Sequence, residues 1–161
     1  MDKRASIAGL LAELDEMSPG GFAIPLHIKY NAATFLFQTF PEKWVNFYSR
    51  KGFAIRDPAV HWGFANTGFV RWRELAENDS TGIMEQARLY GLTYGFTASI
   101  HNDHSRSFGG FARADRDYLD VEIDEIVDRL EDLNVLTAGI EVLSAKDTDA
   151  LRKMSIRLTH S

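Results

Sequence analysis

Trp44 and Tyr48 stand four residues apart, so one helix face would carry both. Asp57 and Trp72 follow at short intervals. An indole N–H only donates hydrogen bonds, which matches it to a carbonyl, and a carboxylate is the strongest acceptor for an amide N–H. Together these residues could meet the polar groups of a small bound molecule. Each also has a plainer reading. Trp44 and Tyr48 could be core packing, and Asp57 followed by Pro58 is the pattern of a helix N-cap with proline in the first turn.

Other chemistries find little support. The chain has no cysteine, which excludes disulfides, thiolate metal sites and thiol nucleophiles. His27, His61, His101 and His104 do not make metal-ligand spacing with nearby carboxylates, and no metal is expected. No nucleophile elbow organises Ser, His and Asp, and Gly109-Gly110 fits no phosphate loop, so no catalytic residue is assigned. The carboxylates between Asp115 and Asp132 alternate with apolar residues, as on a solvated helix face.

The elements that must position these residues can be read from periodicity. Ile7, Leu10, Leu11 and Leu14 predict a helix that Ser18-Pro19-Gly20-Gly21 stops. Strands are predicted over 22–30 and 34–40, joined as a hairpin by a turn at 31–33. A helix begins at Pro41 and ends at Gly52, and another opens at Asp57-Pro58. Residues 68–72 read as a short extended piece, and Ser80 as the cap of a helix to Tyr90. Strands over 94–101 and 107–114 flank a polar turn, and a long amphipathic helix carries Leu119 to Leu133. The order predicts an α+β fold, an antiparallel sheet with helices on both faces.

The chain has 161 residues, fit for a single domain, and its net charge of −5 disfavours non-specific nucleic-acid binding. No secretory core or membrane-length apolar run is visible, and a cytoplasmic location is expected. Aromatic residues are 12% of the chain and crowd between Phe22 and Trp72, as either an aromatic core or an apolar ligand pocket would require.

Trp44, Tyr48, Asp57, Pro58, Trp72 and Gly95 resemble, in type, order and separation, the signature of the LuxR-type autoinducer-binding domain, over about residues 22–136. The resemblance implies an α-β-α sandwich enclosing an acyl-homoserine lactone, with no cofactor. By it, Trp44 would donate to the lactone carbonyl and Asp57 would accept the ligand amide. Tyr48 would line the acyl entrance, Trp72 would pack beside the ring, Gly95 would allow strand and ligand to approach, and Pro58 would fix the helix bearing Asp57. An apolar tunnel for the tail would draw on Leu26, Ile28, Leu36, Phe37, Val60, Phe64, Phe96 and Phe111.

Two positions depart from the family pattern. Phe40 stands where a tyrosine is common, and Gly109-Gly110-Phe111 where a serine or threonine is common. Both lack the hydroxyl that would meet the acyl carbonyl, so Thr97, Ser99 or Tyr48 must substitute or the ligand must differ there. The resemblance further implies a homodimer through the long helix from Tyr118, a DNA-reading helix-turn-helix outside this chain, and no membrane partner. Residues 1–142 are expected to be the sensing domain. Residues 143–161 are expected to be a linker and the start of the helix-turn-helix, with 156–161 leading into its second helix. The competing reading is a ligand-independent dimerisation module of the same family. In that reading the aromatic residues fill the core themselves.

Overall fold

A computed structural model describes residues 3–29, 32–102, 105–139, 149 and 157–159. Its centre is a six-stranded antiparallel sheet in the order β3-β4-β5-β1-β2-β6. The strands are β1 (Gly21–Lys29), β2 (Ala32–Gln38), β3 (Gly68–Arg71), β4 (Tyr94–Asn102), β5 (Ser105–Arg113) and β6 (Arg157–Thr159). Helices α1 (Lys3–Met17) and α6 (Asp120–Thr137) cover one face. Helices α2 (Glu42–Arg50), α3 (Pro58–Ala65), α4 (Trp72–Leu75) and α5 (Ile83–Arg88) belong to the other. This is the expected α+β sandwich.

The two faces are packed differently. Toward α1 and α6, strand alternation sends Phe22, Ile24, Phe35, Phe37, Phe96 and Phe111 into a core with Leu11, Leu14, Ile126 and Leu130, all fully buried. This corrects the tunnel expectation for Leu26, Phe37, Phe96 and Phe111, which fill this solid core. The opposite face carries Trp44, Phe53, Ile83 and Leu92 with the half-buried Phe40, Tyr48 and Trp72.

Alternation in β1 is interrupted. Its register with β5 shifts between Ala23 and Ile28, and His27 adopts a positive φ of 53°. Pro25 falls inside the irregular stretch, which spares an interior strand an N–H that proline lacks. The bulge turns Leu26 and His27 together toward α6 and returns Ile28 to the face of Pro25. His27 is held there by Ser105 Oγ at 3.2 Å and Thr137 Oγ1 at 2.9 Å. Its backbone N–H donates to Ser107 Oγ at 2.8 Å. Asn134 Nδ2 also donates to Ser107 Oγ, at 2.7 Å, so the cluster joins β1, β5 and α6 without an unpaired buried polar atom.

Three local readings differ from the structure. Trp72 is the first residue of α4 rather than the end of an extended piece. The N-cap of α5 is Gly82 rather than Ser80, and the Asp79 carboxylate accepts the N–H groups of Ile83 and Met84. A carboxylate with two oxygens serves both donors where one hydroxyl could not. Arg157–Thr159 is a strand on β2 rather than the lead into a helix. The rest of 143–161, Asp149 excepted, lies outside the described residues.

Candidate functional site

A cavity of about 420 Å³ lies between the sheet and the second helical layer. One wall comes from β2, where alternate residues Leu36 and Gln38 face it, with Phe40 just beyond the strand. The helical wall carries Trp44, Tyr48, Asp57, Val60 and Trp72, and the sheet adds Thr97 and Gly110. The remaining lining is largely apolar, and it includes Ile28, Phe64 and Phe108.

Trp44 projects from α2 and is 4% exposed. Its ring is wedged among Phe47, Tyr48, Phe53 and Tyr90, with centroids 5.3–6.2 Å away. The indole N–H nevertheless has no acceptor among the described residues.

Asp57 caps α3 with Pro58 in the first turn. Its Oδ1 accepts from Ala59 N–H at 2.9 Å, and its Oδ2 accepts from the Tyr48 hydroxyl at 2.7 Å. The Val60 N–H also bonds to this carboxylate, which with three donors in place keeps acceptor capacity for one more. Burial raises the Asp57 pKa above its ordinary 3.8, against the lowering effect of the Tyr48 hydrogen bond. Burial, then the neighbouring Asp57 charge, pushes Tyr48 upward too, so its proton stays on. Asp57 is thus both cap and cavity wall, and the two readings of it are compatible.

Trp72 lies across the sheet. Its indole N–H donates to Thr97 Oγ1 at 3.0 Å, which leaves the Thr97 hydroxyl proton without an acceptor among the described residues. Gly95 is where the Trp72 ring comes closest. A Cβ there would stand 2.4 Å from Trp72 Cε3 and 2.6 Å from the Phe111 carbonyl oxygen. Gly95 therefore seats Trp72 and does not line the cavity, which corrects its expected approach to a ligand. Phe111 is corrected as well, since it belongs to the core under α1 and α6.

Of the three hydroxyls that could replace the two absent ones, Ser99 is committed elsewhere. It donates to the Gly63 carbonyl at 2.9 Å and accepts from Arg106. Tyr48 donates to Asp57. Thr97 is the one with a proton to offer, and its cross-strand partner is Gly110. Gln38 and the α5 residues Met84 and Ala87 also line the cavity and were not singled out from sequence. Gln38 was legible by alternation with Leu36 and Phe40. The α5 residues were not, because a six-residue helix gives too little periodicity.

Among the described residues there is no group of three or more metal-ligating side chains, and no helix is long and apolar enough to cross a membrane.

The model of the autoinducer binding domain family matches residues 20–138. The transcriptional activator SolR of Ralstonia nicotianae is 28% identical over 89 residues, which is 55% of this chain and 37% of that protein. The matched stretch thus spans about a third of such a relative. Among solved structures, SdiA in complex with octanoyl-rac-glycerol superposes with a TM-score of 0.66 at 17% identity, covering 96% of this chain and 70% of that one. The N-acylhomoserine lactone dependent LuxR-family factor CepR2 of Burkholderia cenocepacia gives 0.60 at 14% identity, covering 83% and 80%. These two show a likeness of fold. With the family match across most of the sequence, they place this chain among the autoinducer-binding domains of the LuxR type.

Proposed function

We propose that the cavity binds an acyl-homoserine lactone or a close amphipathic analogue, and that binding stabilises the domain and promotes homodimers. The observation that carries this is the juxtaposition of Trp44, Asp57 and Thr97 on an otherwise apolar cavity. Trp44 offers a free N–H to one carbonyl, Thr97 a free O–H to another, and Asp57 its remaining acceptor capacity to the amide between them. Leu36, Phe40 and Val60 supply apolar wall for the tail, and Tyr48 orients Asp57. Pro58 and Gly95 act through Asp57 and Trp72 respectively.

A cavity of about 420 Å³ falls in the usual range for small-molecule sites. It also speaks against the ligand-independent module, whose aromatic side chains would fill that space. In this reading residues 1–142 are the sensing unit and 143–161 the link toward a DNA-reading domain. The parent activity is ligand-responsive transcription control rather than catalysis. Dimers would form along α6, where Val121 and Val135 are exposed.

The test is thermal unfolding of the chain against acyl-homoserine lactones of graded tail length and 1-octanoyl-glycerol, with Trp44→Phe and Asp57→Asn beside it. A tail-dependent rise in Tm that both variants blunt is expected, by mass-action linkage. A rise with the glycerol lipid alone would replace the lactone reading, and no rise with any compound would sink the sensor reading.

A further inference from the structure

β2 belongs both to the cavity wall and to the sheet edge that carries β6. Thr39 N–H donates to the Phe22 carbonyl at 2.8 Å, which fixes which β2 residues turn their backbone toward β1. By antiparallel alternation Phe37 and Phe35 do so as well, while Leu36 and Gln38 turn N–H and C=O away. Pro25 lies opposite Leu36, where β1 needs no N–H. The outward groups meet β6, with Leu36 opposite Thr159 and Gln38 opposite Arg157. Leu36 and Gln38 are also the β2 residues whose side chains face the cavity. The same two residues therefore touch whatever fills the cavity and carry the backbone groups that receive segment 157–159.

We propose that the outer edge of β2 is a docking site for the chain's own segment 157–159, and that docking is linked to filling of the cavity. The first half stands on the pairing alone, and the second rests on the ligand-binding reading above. A molecule packed against Leu36 and Gln38 steadies the strand, and a steadier strand offers a better edge. Linkage makes the effect reciprocal, so a docked segment tightens binding in the cavity. It also supplies the outward groups of β2 with partners, which an open edge would offer to other chains.

The experiment is residue-resolved amide hydrogen exchange on the full chain, with N-octanoyl-homoserine lactone as probe. Without the probe, the Leu36 and Gln38 amides should be protected. In the double variant Arg157→Pro, Thr159→Pro, which removes the two facing N–H groups, they should exchange about tenfold faster, the scale of one net hydrogen bond. Phe35 and Phe37, turned toward β1, report that the sheet is intact and should not change. Adding the probe should slow Leu36 and Gln38 further in the unmodified chain, and its Kd should weaken in the double variant.

Fast exchange at Leu36 and Gln38 in the unmodified chain would overturn the docking. So would protection that survives in the double variant, including protection that grows with protein concentration, since a second copy would then occupy the edge. If the probe raises Tm but leaves both amides and the variant's Kd unchanged, the linkage is wrong and the cavity reading stands. If it does not raise Tm but another compound of the panel does, that compound takes its place as probe; if none does, the cavity reading fails, and the probe-free arm still decides the docking.

Discussion

Asp57→Asn should move stability and ligand affinity in opposite directions. Asparagine caps a helix about as well as aspartate, so the bond from Ala59 N–H survives. Tyr48 can turn its hydroxyl to accept from the new amide. Burial holds the folded-state pKa of Asp57 above 3.8, so the folded chain retains a proton there that the unfolded chain has released. The charged carboxylate therefore lowers stability as pH rises from 3.8 through the folded pKa, and the deficit stays constant above it. Removing the charge removes that deficit, and ligand-free Asp57→Asn should be as stable as the parent or more so near neutral pH. The affinity goes the other way. A hydrogen bond to a charged acceptor contributes about 1.5–3 kcal/mol against about 0.5–1.5 for a neutral one, and the single amide oxygen must also serve Ala59. A loss of about 1–2 kcal/mol follows, or about 5- to 30-fold in Kd. A ligand N–H favours the charged form of Asp57, so affinity in the parent should rise with pH through the same window and be flat in the variant. Titration calorimetry and urea unfolding across that range supply both numbers. Unchanged affinity together with a fall in ligand-free stability of about 2 kcal/mol, the upper end for a lost cap, would refute the reasoning and leave Asp57 a cap alone.

Three further outcomes are expected. Trp44→Phe deletes the free N–H and one of the two rings packed among Phe47, Tyr48, Phe53 and Tyr90, so ligand Kd should weaken at least about 3- to 10-fold and ligand-free stability should fall by about 1–2 kcal/mol, read from calorimetry and urea unfolding. Gly95→Ala should destabilise by about 1–3 kcal/mol in urea and shift the Trp72 fluorescence, while Gly110→Ala, whose Cβ would meet Trp72 at an ordinary 3.5 Å, should be near neutral. Desolvation lowers the His27 pKa below 6.5, so its contribution to stability is complete above 6.5 and is lost as pH falls through the folded value. His27→Asn, which tolerates the positive φ, should flatten that part of the pH-stability curve.

The sheet, its hairpins and the long helix were legible because turn residues and periodicity agree over long segments. The polar end of the cavity was legible through the family resemblance that Trp44, Tyr48, Asp57 and Trp72 carry, since core packing and a helix cap explain the same residues taken singly. The sides of the sheet were harder to read. Phe37 and Phe111 are as apolar as Phe40 and Phe108, and sequence alone does not say which face is solid. The bulge at His27 reverses the parity of β1, and nothing local in the sequence marks a positive φ at a histidine. Gly95 was read as making room for a ligand when it makes room for a tryptophan ring, because a glycine tells of close approach but not of what approaches. The pairing of 157–159 with β2 joins residues about 120 positions apart, beyond the reach of any local pattern.

The unequal filling of the two faces bears on how the chain comes apart. The layer of α1 and α6 is tied to the sheet by dry aromatic and aliphatic packing and by the His27 cluster. The layer of α2 to α5 consists of short helices that meet the sheet partly across a cavity. Two cooperative units of different strength should result, and the weaker contains the residues proposed to recognise a ligand. Heating the ligand-free chain should loosen the short helices first and broaden the transition. A bound ligand joins the units across the cavity, so the transition should sharpen as well as rise. Protease susceptibility of residues 41–92 would then report ligand concentration directly, so that the lifetime of the protein would follow the amount of ligand.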